Sequence, residues 1–530
     1  MPILPEHYEL EWKELFQQWH KSGADYKYLR VKIARNIILH KKLLTFEDNE
    51  EIYQYVDGYY RPSADKMIKT ECKINISTIT QAHIKEIVEH VKAVTYQSRD
   101  VLDDFKDFVC LKNTNINTRS CSLVKHSPDI IQLSKLDISH DFTADCPKVK
   151  KFMGEVLKPE DVPKVQELFG YCLTKEYPIQ KAFLMIGAGR NGKSTVLNLL
   201  RKFLGDGNVC SVSLHDISAN RFSGARLYGK LANVYPDLSG KALTDTGLFK
   251  IATGSDSMGA EQKYRDGFDF YNYAKLVFSC NDVPDSYDDS DAYYRRWELI
   301  LFPHKFEGKG DKKNLLAELT TPEEMSGLLN WALEGLKRLR VQGEFTNTVP
   351  TDELREMYQK MANSVAAFAT DIVEHDSYGW IEKDMLYDIY LRYCKKNQIP
   401  GKYKAVFLKD LPRFIEVREE RRTIKGVRVH GVSGINISSE KIEEHLSEPP
   451  KSDNGDKELV FEKYDTADFG KQYESVKLLV EYGNGVKGVL DVKDSPGLVV
   501  RYRPVIEYMK AEGVLVESPK NVFRVTTSVD

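Results

Sequence analysis

The chain has 530 residues, 42% hydrophobic and 29% charged, with a formal net charge of −3. That length allows roughly three or four domains, and the near-neutral balance excludes polyanion binding by overall charge, so any nucleic-acid contact must come from local basic patches. The eight cysteines are dispersed without a C-x-x-C pair, which argues against a zinc ribbon or a disulfide framework.

The opening stretch, MPILPEHYELEWKELF, has early acids and no apolar centre. No signal peptide is expected there, and no run approaches the ~18 apolar residues of a membrane span. A cytoplasmic protein without membrane contact is the expectation. Residues 1–100 are expected to form an α+β region, with a hairpin turn at Asp57-Gly58 and a helix over HIKEIVEHVKAV (83–94). Residues 101–180 are expected to form a helical domain, with short strands around an Asn-rich turn at 108–129 and an amphipathic helix over 160–175.

From 181 to 310 strand, loop, helix and strand alternate, which favours an α/β core with a parallel sheet. Residues 311–437 should hold a helical segment followed by a winged-helix-like domain. Their clearest helix is MSGLLNWALEGLKRLRVQG (325–343), stopped by Gly343. Residues 438–458, polar and Pro-containing, have the composition of a linker, and 459–530 form a last small module.

Residues 186–195 read IGAGRNGKST, which contains the pattern Gly187-x4-Gly192-Lys193-Ser194. An apolar run (Phe183 to Ile186) precedes it, and Val196, Leu197, Leu200, Phe203 and Leu204 follow at helical spacing until Gly205. A strand, glycine loop and helix of this kind hold a nucleoside triphosphate: backbone N–H groups and the helix N-terminus face the phosphates. Lys193 reaches the β- and γ-phosphates and the Ser194 hydroxyl takes Mg²⁺. The expected ATP-binding set is Gly187, Gly189, Asn191, Gly192, Lys193, Ser194 and Thr195.

Hydrolysis also needs an acid, a polar sensor and a cation. KLANVYPDL (230–238) reads as a strand carrying Asp237 at its end, and AKLVFSCN (274–281) as a strand ending in Asn281. Strand C-termini in such sheets face the ligand crevice. Arg295 and Arg296 in YYRRW (293–297) supply cations, with surface ion pairing as the alternative. Asp237 joins Ser194 as an expected metal ligand. Between the two strands, FKIATGSDSMGAEQKYRDGFDFYNYAK (249–275) reads as a hairpin with Lys263, Tyr264 and Arg265 near its tip. Cations on such a loop suit gripping a DNA backbone; the alternative is a solvated hairpin.

GAGRNGKST, the Asp237 strand, TGSD…AEQKY, FSCNDVP and DAYYRRWELILFP, in this order, resemble the superfamily 3 helicases, in particular the helicase part of plasmid, phage and poxvirus-type primase-helicases. The likeness spans about 100–435. It implies an AAA+-like motor forming hexameric rings that translocate on single-stranded and forked DNA, 3′ to 5′, in replication of a plasmid or virus, and hence a place in the host-cell cytoplasm. It implies roles for Lys193 on the triphosphate, Asp237 as the second acidic motif, Asn281 as sensor and Lys263 as DNA grip. Arg295 or Arg296 would then be the finger that completes a neighbouring subunit's site. Two departures stand out. Pro236 and Leu238 flank Asp237 where many relatives carry paired acids, which leaves the water-activating base open. No Asp-x-Asp plus His primase signature is found in 1–150, so a primase partner is expected as a separate chain or a detached part. The alternative function is an ATP-regulated initiator that recognises an origin.

In the C-terminal part, Leu386, Ile389, Tyr390 and Tyr393 form a helical stripe expected to be core. VREERRTIKGVRVHGVSGINI (417–437) reads as a basic hairpin, in which Arg418, Arg421, Arg422, Lys425 and Arg428 are a candidate DNA patch diluted by Glu416, Glu419 and Glu420. A solvated hairpin is the equal alternative. The end of the chain repeats the pattern of a helix followed by strands, read as a second winged-helix-like fold.

Overall fold

Residues 182–186, AFLMI, are apolar without alternation, and such a strand needs cover on both faces. In a computed structural model, which describes residues 5–219, 221–261, 267–306, 314–424, 427–438, 440–441, 489–491, 515–518 and 522–525, all five are buried inside a parallel sheet. Two compact units divide the chain, Met1–Asn363 and Ser364–Asp530.

The first unit opens with α1 (Pro5–Trp19), α2 (Tyr26–Lys41), β1 (Leu43–Phe46), β2 (Ile52–Val56), β3 (Tyr59–Arg61), α3 (Ala64–Asn75), α4 (Gln81–Thr95) and β4 (Tyr96–Gln97). The Asp57-Gly58 turn joins β2 to β3 antiparallel, with Val56 opposite Tyr59 and both turn residues at positive φ (53° and 95°), as a two-residue hairpin turn requires. Next come β5 (Phe108–Cys110), β6 (Asn115–Asn117), β7 (Leu123–Val124), α5 (Pro147–Val156) and α6 (Val162–Tyr171).

The α/β core then runs β8 (Ala182–Ile186), α7 (Lys193–Leu204), β9 (Val209–Cys210), α8 (Leu214–Ala219), α9 (Arg221–Gly224), β10 (Ala232–Tyr235), α10 (Gly247–Ala252), β11 (Ser257–Ala260), β12 (Phe268–Tyr271), β13 (Lys275–Cys280), α11 (Asp291–Tyr294) and β14 (Trp297–Leu301). The unit closes with α12 (Leu315–Leu319), α13 (Pro322–Gln342) and α14 (Thr351–Ala362). Gly343 caps α13 at φ 77°, as the sequence predicts.

The five-stranded sheet has the order β14-β8-β13-β10-β9, every pair parallel. Period-two alternation splits β8 between two cores: Phe183 and Met185 join the side built by α5, α6, α7 and α13, while Ala182, Leu184 and Ile186 join the side with Phe249, Tyr293, Trp297 and Tyr358.

The helix expected as amphipathic is α6, and it is buried on all sides from Lys164 to Tyr171. Its polar residues are matched internally instead. Glu167 accepts from Arg338 Nε at 2.6 Å and from the Thr346 amide at 2.8 Å; Lys164 and Lys181 flank the buried Glu298 at 3.0 and 2.8 Å. The pattern of polar residues therefore marked specific partners and not a wet face. Glycines permit this docking: a Cβ on Gly335 would sit 2.6 Å from the Gln166 carbonyl oxygen, and one on Gly170 2.2 Å from that of Ala332.

The second unit runs α15 (Ser364–Ile372), β15 (Glu374–Glu382), α16 (Lys383–Asn397), α17 (Lys404–Asp410), β16 (Arg418–Ile424) and β17 (Val427–Asn436), with sheet order β15-β17-β16. The predicted stripe Leu386, Ile389, Tyr390 and Tyr393 is buried in its core. β18 (Val489–Asp491), β19 (Leu515–Ser518) and β20 (Val522–Val525) form a further sheet of order β18-β20-β19, again first, third, second. Most of the predicted linker lies outside the described residues. Among the described residues no helix is long and apolar enough to cross a membrane.

Gly335→Ala forces the α6 and α13 backbones apart. It is expected to cost about 1–3 kcal/mol, read as a lowered melting temperature, while an alanine at the open Gly154 of α5 leaves stability unchanged or slightly raised.

Candidate functional site

Because β8, β10 and β13 are parallel, their C-terminal ends meet at one edge of the sheet. β8 runs out into Gly187, and the loop enters α7 through Gly192 at φ 92°. Two glycines here are dictated by space. A Cβ on Gly187 would lie 2.2 Å from Asn191 Nδ2 and 2.7 Å from the Phe302 carbonyl oxygen; one on Gly192 would lie 2.6 Å from Val156 Cγ1. Gly189, in contrast, has no neighbour within 4 Å and borders open space. Arg190 takes a left-handed φ of 62° and its carbonyl accepts from the Phe306 amide at 2.8 Å, which fixes the loop's far limb.

Lys193 is the first residue of α7 and is 6% exposed. Its ammonium donates to the Gly187 carbonyl and, at 3.1 Å, to Asn281 Oδ1. Burial pulls its pKa below the usual lysine range, opposed by Cys280 and Asp237. Asn191 is buried beside it; Oδ1 accepts from the Lys193 amide at 3.4 Å, and Nδ2 has no partner among the described residues. Ser194 is exposed and Thr195 half-buried at the same helix end. A cation, an orphan amide donor, a hydroxyl and the free N–H groups of a helix N-terminus converge here, a set suited to an anion.

Asp237 lies two residues beyond β10, at a left-handed φ of 60°. Its amide donates to Ser279 Oγ at 3.4 Å and the Leu238 amide to the Ser279 carbonyl at 2.7 Å. These bonds fold the chain across the end of β13, so the exposed Asp237 carboxylate acts electrostatically on Lys193. Asn281 directly follows β13. The structure thus brings together Lys193 and Asn281 by contact and Asp237 by charge.

The two arginines are unequal. Arg295 is exposed at the end of α11, whereas Arg296 is 6% exposed and its guanidinium donates to the Ala292 carbonyl. Among the described residues neither one bonds to Lys193, Asp237 or Asn281. Of the two, only Arg295 is presented to solvent. An aromatic block sets α11 in place: Phe249 stacks on Trp297 at 4.7 Å, and the Tyr293 and Tyr358 hydroxyls lie 2.9 Å apart.

Lys263, Tyr264 and Arg265 lie outside the described residues. Their flanking arms are the antiparallel pair β11 and β12, with Met258 opposite Phe270 and both buried. What sequence reading missed is how the approach to this hairpin is tied to the Asn281 loop. Asp288 accepts from Thr246 Oγ1 and from Lys250 Nζ at 2.8 Å, and Leu243 exchanges backbone bonds with Asp285 (2.8 Å) and Tyr287 (3.2 Å). The acidic run DSYDDSD (285–291) was its only signal. Although burial opposes ionisation, hydrogen bonds from Lys250, Ser290 and Thr246 hold the Asp288 carboxyl well below the usual range.

In the second unit Arg421 and Arg422 are exposed on β16, and Arg422 is engaged by Glu420 at 2.9 Å; Lys425 lies outside the described residues. No cluster of metal-ligating side chains occurs among the described residues.

Since the folded Asp288 pKa is depressed, its contribution is present above the unfolded carboxylate value of about 3.9 and is lost as pH falls below it. Asp288→Asn is expected to lower the melting temperature at pH 7 and to flatten its decline between about pH 4 and pH 2. An unchanged acid limb would refute the tie.

Residues 185–296 match a protein family described as "Family of unknown function (DUF5906)". The chain is 27% identical over 146 residues to "Putative helicase L207/L206" of Acanthamoeba polyphaga mimivirus, covering 26% of this chain and 15% of that protein. It is 26% identical over 218 residues to "Putative helicase 121R" of Invertebrate iridescent virus 3, covering 35% of this chain and 23% of that protein. The matches thus span less than a quarter of either viral protein. The solved structure "The apo structure of NrS-1 C terminal region (305-718)" aligns over 76% of this chain and 99% of its own, at 12% identity and a TM-score of 0.47. The chain is thus similar, over part of its length, to viral proteins named putative helicases.

Proposed function

We propose that the chain is an ATP-dependent DNA helicase or translocase of the superfamily 3 type, acting as a hexameric ring, 3′ to 5′ on single-stranded and forked DNA, in replication of a plasmid or virus. The observation that carries the reading is the Lys193–Asn281 contact at the C-terminal edge of a parallel sheet, with Asp237 alongside. The glycine spacing, the orphan Asn191 amide and the free end of α7 suit a triphosphate. Gly187, Gly189, Asn191, Gly192, Lys193, Ser194 and Thr195 would hold ATP, with Ser194 and Asp237 on its Mg²⁺. The Mg²⁺-bound nucleotide supplies the cleavable phosphoanhydride and masks part of its charge.

The chain's own residues supply the rest. Lys193, desolvated and held between two oxygens, is a charge kept out of water until a stronger anion competes for it. Asn281 bridges this lysine to the end of β13 and orients its amide toward the same place. Arg295, exposed at the end of α11, is free to reach a neighbouring subunit, which makes a ring the natural assembly. The order helix, strand, helix, helix, strand, strand in the second unit supports a winged helix, and the β18–β20 sheet of matching order supports a second one. The same order also supports the second reading, an ATP-regulated initiator that recognises an origin. A host-cell cytoplasmic location and a primase partner, separate or fused, complete the proposal.

ATP turnover measured with and without single-stranded DNA, followed by unwinding of tailed duplexes, separates the readings. Stimulation by DNA and unwinding are expected. Lys193→Ala should lower turnover about a hundredfold or more at an unchanged melting temperature, and retained turnover removes the nucleotide assignment. Lys263→Ala should keep basal turnover yet lose stimulation and unwinding; intact unwinding removes the translocase reading.

A further inference from the structure

The register of the second unit's sheet sorts the charges of its basic hairpin onto two unlike sides, because residues directly opposite across a ladder share a face. Val432 faces Glu419 on one neighbour and Ile381 on the other, and Val432 and Ile381 are buried at 3% and 9% exposure. Along that same side toward the tip, Arg421 faces His430 and Thr423 faces Arg428. The opposite side holds Arg418, Glu420 and Arg422 across from Ser433, Gly431 and Val429.

The opposite side neutralises itself. Arg422 lays both fork nitrogens on Glu420, at 2.9 and 3.2 Å, with its guanidinium 5.4 Å from the centre of the Trp380 ring. A bidentate pair stacked on an indole is the surface geometry that holds. Gly431 makes room for it: a Cβ there would fall 2.1 Å from the Trp380 ring. Arg418 sits 3.9 Å from Glu416, and Glu382, opposite Gly431, adds a further acid to this side.

On the Val432 side the one acid, Glu419, is taken by Lys383 at 2.9 Å, which holds its carboxyl below the usual range. Arg421, Arg428 and His430 are exposed, and among the described residues neither arginine makes an ion pair. As diagonal neighbours on one face, the two arginines stand about 7 Å apart.

We propose that the Arg421–His430–Arg428 side of the hairpin is a docking surface for a nucleic-acid phosphate backbone, and that the Arg418–Arg422 side faces away from it. This rests on the reading that the chain works on DNA and assigns which arginines touch it. Releasing Arg422 would break a bidentate pair and a stacked contact, while Arg421 and Arg428 give up only water.

The test uses the full chain without nucleotide and a fluorescein-labelled duplex of mixed sequence, with anisotropy followed across a salt series. Arg421→Ala/Arg428→Ala should weaken binding about tenfold or more and reduce the slope of log K against log salt by about 2, near 0.9 per lost phosphate contact. Arg418→Ala/Arg422→Ala should change affinity less than about twofold. Arg421→Lys/Arg428→Lys, which keeps the charge, should retain the slope and guards against misfolding of the alanine pair. Equal losses from both alanine pairs, loss from the Arg418/Arg422 pair alone, or no loss from either overturns the assignment. If it fails while DNA still stimulates turnover and Lys263→Ala abolishes that stimulation, the motor reading survives without this surface.

Discussion

Burial of the five-stranded sheet on both faces is the constraint from which the rest follows. A parallel sheet covered on both sides has no wet face for polar side chains, so they can emerge only at the strand ends. β8 has apolar side chains for both cores, and the polar side chains within the other strands (Asn233, Lys275, Ser279 and Glu298) are buried, so the open positions are those past Ile186, Tyr235 and Cys280. Gly187, Asp237 and Asn281 lie within two residues of those ends, and parallel direction puts all three at the same edge.

Close packing at this edge carries an electrostatic consequence. Lys193 loses water and gains two oxygen partners, one from the loop and one from the neighbouring strand's end. Its charge is thereby aimed rather than merely present, which is how a fixed dipole or cation becomes effective in a dry site. The fold also wires this edge outward. Asp288 and the Leu243 backbone bonds hold the approach to the β11–β12 hairpin against the loop that follows Asn281, so the two segments are tied together.

The second unit solves a different problem with the same rule of alternation. Its hairpin mixes acids among its arginines, and composition alone does not tell which arginines are paired. Register separates them into a self-paired side braced by Trp380 and a side where, among the described residues, Arg421 and Arg428 lack acid partners. Net charge of a segment thus says less about its binding than the face on which each charge lands.

Local patterns were legible wherever one short-range rule governs the backbone. The Asp57-Gly58 turn, the Gly205 and Gly343 helix stops, the buried run 182–186 and the stripe Leu386, Ile389, Tyr390 and Tyr393 all follow from turn chemistry or hydrophobic period. That Lys193, Asp237 and Asn281 lie at one edge was legible too, since strand ends in a parallel sheet share an edge. Tertiary structure decided what depends on residues far apart in sequence. It sealed α6 on every side, because Glu167, Lys164 and Gln166 find partners more than a hundred residues away. It split the Arg295–Arg296 pair, burying Arg296 against the Ala292 carbonyl and leaving Arg295 exposed. Periodicity reports which way a side chain points from its own element; what waits on the other side is set by packing between elements, and no local pattern encodes it.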